Sequence, residues 1–327
     1  MTLNNFIYKF SKPLGGLKVA RFLARNHPRI LMYHRISPDG APGTISVDQF
    51  RSHIKLIKKE FNPIPLSELV ELHEQGAAPK NAVVVTFDDG YRDFADYAFP
   101  IMKAEGVTAT LFLTTGFVNG DLWLWPDQLK YLVDRRTHTG NFQLQSLDTH
   151  LDLNLSPYEI WSELADYCMK MSNDRKIDFI KKLYSKNNVE IPVTPPEKYR
   201  PVTWQQVKRM VDDGLEIGCH TYSHPILTKT KEEELKAELL DSKKMIEKKI
   251  SKKVNFFCYP NGQESDTSAE IEDLLSKYGY EYGVVAFPGV NPLRDIWKIK
   301  RYAAPDQYMD FEKVLFGLRY LFNNVKK

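Results

Sequence analysis

The sequence predicts an α/β fold in which a parallel sheet, covered by helices, closes into a barrel. Two observations predict it. Seven short runs rich in β-branched and aromatic residues recur along the chain, at 30–34, 82–88, 109–114, 215–220, 254–259, 282–286 and 297–302. They are apolar nearly throughout, as strands buried on both faces are. Between them lie segments of helical periodicity at 46–59, 66–75, 94–105, 204–213, 232–250 and 268–278. Alternation of strand and helix over about seven units is the pattern of a closed parallel barrel. Local signals agree with these boundaries. Ser46 caps the first of these helices, with Gln49 three residues on to complete a capping box. Thr203 caps the helix that begins at Trp204.

One stretch breaks the alternation. Residues 119–200 hold an aromatic cluster (Trp123, Trp125), a polar stretch around 138–150, helical patterns at 158–171 and 174–186, and Pro192, Pro195 and Pro196 at the close. This is read as a helical insertion on one rim of a single barrel domain spanning residues 1–327.

Composition narrows the function. The 327 residues are 43% hydrophobic, enough for a substantial core. Lys and Arg number 45 against 42 Asp and Glu, a formal charge of +3 with no basic stripe, so nucleic acid is not an expected partner. The lysine-rich stretch 243–253 reads as a solvated helix face. Cys168, Cys219 and Cys258 form no close pair, which excludes a disulfide framework or a cysteine-rich zinc site and favours a reducing compartment.

Residues 1–26 lack the apolar run of a signal peptide. Phe6, Ile7, Phe10, Leu14, Leu17, Phe22 and Leu23 are interspersed with Lys9, Lys12, Lys18, Arg21 and Arg25. The first reading is a basic helix packed on the domain, because Pro13, Gly15 and Gly16 interrupt an amphipathic stripe. The second is a peripheral contact with an anionic membrane face. With no apolar run of about 18 residues, no membrane-spanning helix is expected. The protein is placed in the cytoplasm or at the inner membrane face.

The chemistry stands at strand ends. The apolar run Val83-Val84-Val85-Thr86-Phe87 ends in Asp88-Asp89-Gly90. Two adjacent carboxylates repel unless a cation stabilises them or one is protonated; an ordinary Asp-Asp-Gly turn is the alternative. A second apolar run, Leu215-Glu216-Ile217-Gly218-Cys219, ends in His220, with His224 four residues later. That spacing lets two imidazoles converge on one ion, leaving positions for water and substrate; a packed and an exposed histidine are the alternative. Catalytic residues of barrels come from the carboxyl ends of several strands. Both features stand at that kind of position.

The chain here resembles the polysaccharide deacetylases of carbohydrate esterase family 4, the NodB-homology domain. The first family motif matches Thr86-Phe87-Asp88-Asp89-Gly90 and the second His220-Thr221-Tyr222-Ser223-His224-Pro225. The resemblance implies a distorted (β/α)7 TIM-like barrel with a helical insertion. It implies hydrolysis of N-acetyl groups on an amino-sugar polysaccharide or its precursor, with Asp88 as base. Asp89, His220 and His224 would bind a divalent metal, usually zinc.

The third motif matches in part, as Phe256-Phe257-Cys258-Tyr259-Pro260-Asn261-Gly262. Many members carry here an Arg that hydrogen-bonds the base; Cys258 stands in its place. Arg301, at the end of the last predicted strand, is either the replacement cation or an ordinary surface residue. Tyr259 and Pro260 fall at the substrate by this motif, and the Tyr259 N–H is the expected donor to the tetrahedral intermediate. The family's C-terminal Leu-x-His has no counterpart, since His224 is the last histidine. Instead Ile30-Leu31-Met32-Tyr33-His34-Arg35-Ile36 resembles the exopolysaccharide deacetylase branch, in which that strand begins the chain. His34 would then be the general acid, with Asp295 among the acids that could orient it; a histidine buried under the rim is the alternative.

Trp125, Asp127 and Trp204 are candidate sugar-facing residues, since aromatic faces stack on pyranose rings while polar neighbours hold hydroxyls. Core packing is the alternative for each tryptophan. Two rival functions stand beside the deacetylase: a related metal-dependent amidase or O-acyl esterase on a non-glycan substrate, and a catalytically silent carbohydrate-binding protein.

Overall fold

The computed structural model describes Tyr8 and residues 12–137 and 155–325. The polar stretch 138–150 and Phe6, Ile7, Lys9 and Phe10 lie outside the described residues.

The chain enters through α1 (Gly16–Leu23) and β1 (Arg29–Tyr33), then passes two short parallel strands, Ile36–Ser37 and Ile45–Ser46, to reach α2 (Val47–Glu60) and α3 (Leu66–Glu74). Next come β2 (Ala82–Phe87), a π turn at Phe94–Ala98 running into α4 (Phe99–Glu105), and β3 (Thr110–Leu113). The insertion carries α5 (Trp125–Thr137), α6 (Pro157–Met169) and α7 (Asn173–Lys186). The alternation resumes with α8 (Trp204–Asp212) and β4 (Glu216–Cys219). A helix begun at Glu232–Lys236 then passes a π turn at Ala237–Asp241 and continues as α9 (Ser242–Ile250). β5 (Phe256–Cys258), α10 (Ala269–Lys277), β6 (Tyr282–Val284), β7 (Tyr302–Ala303), α11 (Tyr308–Leu315) and α12 (Leu318–Val325) complete it.

Apart from the short pair Ile36–Ser37 and Ile45–Ser46, the strands form one curled parallel sheet in the order β7-β1-β2-β3-β4-β5-β6, with Asn62–Pro63 also pairing in parallel to β2. The predicted last strand is broken in two, and the break closes the barrel. Ile299 bridges in parallel to Val284 of β6, while Tyr302 pairs with Leu31 of β1. Gly283 permits this approach: a Cβ there would lie 2.4 Å from the Trp297 carbonyl oxygen.

Alternate strand residues face opposite ways. Ile30, Val84, Phe112, Phe256, Cys258, Val284 and Ile299 form one buried cluster with Leu66, Leu69 and Val70 of α3. Their neighbours Leu31, Val83, Val85, Leu111, Ile217 and Phe257 pack with the surrounding helices. The insertion has its own core of Leu129, Leu132, Ile160, Leu164 and Leu183; its first helix, α5, was not anticipated. Both predicted caps form: Ser46 and Gln49 make a reciprocal capping box, as do Thr203 and Gln206. The solvated-face reading of 243–253 holds at Lys244, Lys248 and Lys249 and fails at Lys243. Lys243 is buried because its ammonium donates to the carbonyls of Val254 and Gly279. Among the described residues no helix is long and apolar enough to cross a membrane.

Candidate active site

The ends of β1, β2, β4, β5 and β7 converge on the floor of a cavity of about 1200 Å³. Asp88 continues the inward register of Val84 and Thr86. Arg301, two residues past Ile299, meets it there. Arg301 donates to both carboxylate oxygens of Asp88, Nη1 to Oδ1 at 2.7 Å and Nη2 to Oδ2 at 2.8 Å. Further bonds run from Nε to the Val285 carbonyl (3.0 Å), Nη1 to Thr86 Oγ1 (3.0 Å) and Nη2 to Cys258 Sγ (3.1 Å). Burial alone would raise the Asp88 pKa, but the Arg301 charge and its two hydrogen bonds outweigh it and hold the carboxyl well below the ordinary range. His34, half exposed, places Nε2 3.8 Å from Asp88 Oδ2. Its place in the cavity holds it below the ordinary histidine value, against the attraction of Asp88.

Asp89 turns away from its neighbour. Its φ of 77° lies in the left-handed region, and its carbonyl accepts from the Thr114 N–H at 3.1 Å. Its Oδ1 lies 3.5 Å from His220 Nε2 and 3.4 Å from His224 Nε2. Donor atoms of the three residues fall within 4.8 Å of one another. His220 Nδ1 sits 2.8 Å from the Cys258 carbonyl, which can only accept, so the proton is on Nδ1 and the Nε2 lone pair faces Asp89. Burial lowers His220 to about 4 and His224 well below the ordinary value, which keeps both imidazoles neutral, the form that ligates.

The residues fit a divalent cation. Asp89 Oδ1 is buried and has no hydrogen-bond donor among the described residues, and burial together with the Asp88 charge pushes its pKa well above the ordinary range. A carboxylate and two neutral imidazoles with a shared focus are a zinc-type donor set. The overlapping trio of Asp88, His220 and Cys258 does not fit one, because the Arg301 guanidinium already occupies Asp88 and Cys258.

The loop presenting His224 is strained and then restrained. Thr221 (φ 67°) and His224 (φ 59°) both lie in the left-handed region. Buried Glu238 holds the loop, accepting from the Tyr222 and Ser223 N–H groups, each at 2.9 Å, and from Ser223 Oγ at 2.6 Å. Sequence reasoning missed Glu238. A glutamate within a helix carries no signal of its own, and the π turn that contains it was not legible.

Other anticipated residues divide. Trp125, Asp127 and Tyr259 line the cavity. Asp127 is buried, accepts from the Tyr91 hydroxyl at 2.8 Å, and is pushed up to about 6 by burial. Arg35, also missed from sequence, stacks 4.4 Å over Tyr91 and donates to Asp93 at 3.0 Å, forming the wall beside His34. Pro260 and Arg301 are buried without lining the cavity, Arg301 acting from beneath through Asp88. Trp204 is directed elsewhere, its Nε1 donating to Asn119 Oδ1 at 2.7 Å. The Tyr259 N–H is already committed to the Val284 carbonyl at 3.1 Å, so it is not the free donor expected from the sequence. Asp295 accepts from the Trp297 N–H, and the carboxylate beside His34 is Asp88.

The sequence profile of the polysaccharide deacetylase family matches residues 75–182 and 179–283, more than half of the chain. The chain therefore belongs to the polysaccharide deacetylase family. It is 31% identical over 140 residues to YxkH of Bacillus subtilis, provisionally named a polysaccharide deacetylase, covering 42% of this chain and 48% of that one. It is 26% identical over 180 residues to the poly-beta-1,6-N-acetyl-D-glucosamine N-deacetylase of Staphylococcus epidermidis, covering 54% and 60%. The chain thus spans about half the length of these curated relatives. Its fold matches that of the Streptococcus pyogenes deacetylase PplD, solved in complex with acetate, with a TM-score of 0.57, 19% identity, and coverage of 86% of this chain and 95% of that one.

Proposed function

We propose that the protein is a zinc-dependent hydrolase that removes N-acetyl groups from an amino-sugar polysaccharide, of the poly-N-acetylglucosamine class, or from its precursor. One observation carries this reading. A carboxylate fixed by Arg301 stands beside the three-donor set of Asp89, His220 and His224, with His34 on the open side.

Asp89, His220 and His224 would hold the metal, which supplies Lewis acidity toward the acetyl carbonyl and a lowered pKa for water. The other steps belong to the chain's own groups. Asp88, kept ionised by Arg301, takes the proton of the attacking water. The new C–O bond forms and the C–N bond breaks as His34 delivers a proton to the departing nitrogen, releasing acetate and a free amine. Trp125 supplies an apolar face and the Tyr91–Asp127 pair a polar edge for the sugar.

The test is acetate release from N-acetylglucosamine oligomers by metal-stripped protein and by the same protein after zinc is restored. Release that returns with zinc is expected. Silence of both forms would remove the reading, and release from O-acetylated glycans alone would move it to an esterase.

A further inference from the structure

The described residues expose few large apolar side chains, and four of them crowd into one short segment. Leu14 is 87% exposed, Val19 58%, Phe22 61% and Leu23 60%. The same helix buries Leu17, Ala20 and the adjoining Ala24 against the body of the protein. At about 100° per residue, Phe22 points opposite to those three, with Val19 and Leu23 on one flank and Lys18 and Arg25 on the other. The Arg25 guanidinium stacks 4.1 Å over the Phe22 ring, so charge and apolar surface form one patch.

The charge of this region has one sign. The first acidic residue of the chain is Asp39, while Lys9, Lys12, Lys18, Arg21, Arg25, Arg29 and Arg35 precede it. Arg21 is paired with Glu60 and Lys12 with Glu312, and no ion pair forms at Lys18 or Arg25 among the described residues. An apolar ridge edged by unpaired cations is the surface that an anionic bilayer face complements. A second copy of this chain would instead oppose like charges across the ridge.

The placement is consistent with such docking. Arg21 reaches the last residue of α2, and the Arg25 carbonyl accepts from Asn81, just before β2. The patch therefore lies toward the amino ends of the strands, whereas Asp88, Asp89 and His220 stand at their carboxyl ends. We infer that α1 is an interfacial helix that seats the protein on an anionic membrane surface, with the cavity facing away from the lipid.

The experiment is co-sedimentation of the full chain with vesicles of phosphatidylcholine alone or with phosphatidylglycerol added, beside sedimentation velocity without lipid. Wild type is expected on the anionic vesicles and not on the neutral ones. Lys18→Glu should weaken binding at least about fivefold, the effect of losing one cation near the surface. Phe22→Ser should weaken it about tenfold, with unchanged thermal unfolding. Equal partitioning of wild type and both variants overturns the inference. So does a lipid-free dimer that Phe22→Ser dissociates. Neither readout depends on the catalytic reading.

Discussion

Arg301 grips Asp88 from 213 residues away in sequence, through two parallel hydrogen bonds made where the broken last strand closes the barrel. Both groups are buried, so removing one leaves the other as an uncompensated charge. Arg301→Ala is expected to cost about 3–5 kcal/mol of stability, read from urea unfolding. Arg301→Lys keeps the charge and loses the planar fork. It should fold and release acetate at least about a hundredfold more slowly, the scale of a lost preorganised contact. A lysine variant with full activity would show that Asp88 does not depend on the clamp.

The two adjacent aspartates are expected to separate in experiment. Asp89→Ala should lose zinc, measured by metal analysis after dialysis, because it removes the shared focus of His220 and His224. Asp88→Asn should retain zinc and lose activity by about 10²–10⁴, the usual contribution of a general base. If both variants keep the metal, the ligand assignment is wrong.

Much of this site was legible because strand ends are. Asp88 and His220 close apolar runs, and the inward register of Val84 and Thr86 fixes the direction of Asp88. Arg301 was left ambiguous for a physical reason. Its direction depends on where the run 297–302 breaks, which is set by the approach of Trp297 to Gly283 and not by the run's own pattern. The Tyr259 N–H misled in the same way, since its bond to Val284 belongs to a neighbouring strand. Arg35 and Tyr91 escaped notice because their stacking joins the ends of two strands through side chains alone.

Glu238 yields a prediction about a residue that touches no substrate. Its carboxylate receives three hydrogen bonds from the loop that holds His224 in a left-handed conformation. Glu238→Ala removes all three acceptors at once. Zinc affinity should fall about 10–100-fold, as for other groups that orient ligands, and excess zinc should recover most of the rate. A structural loss alone would instead lower the unfolding midpoint without changing zinc affinity in the protein that remains folded.

Two histidines remote from the site set a pH dependence of stability. His27, between the Val290 carbonyl and the Tyr302 hydroxyl, is lowered to about 4, first by burial and then by the charge of Arg29. His53, stacked 3.5 Å over Phe311 with Nε2 unpartnered among the described residues, is lowered to about 3 by burial. Each binds fewer protons folded than unfolded between that value and the ordinary histidine value of about 6.5, so stability rises with pH across the window. It is fully present above about 6.5 and is lost as pH falls toward 4, by up to about 3 kcal/mol per histidine. In urea midpoints of metal-free protein this decline below about pH 7 adds to that of His220 and His224, which burial also lowers. The raised Asp89 and Asp127 oppose it, so it is read from the difference between wild type and a variant. His53→Phe, which keeps the stacking and removes one titrating group, should decline less steeply than wild type; parallel profiles would show that His53 is not held neutral by its burial.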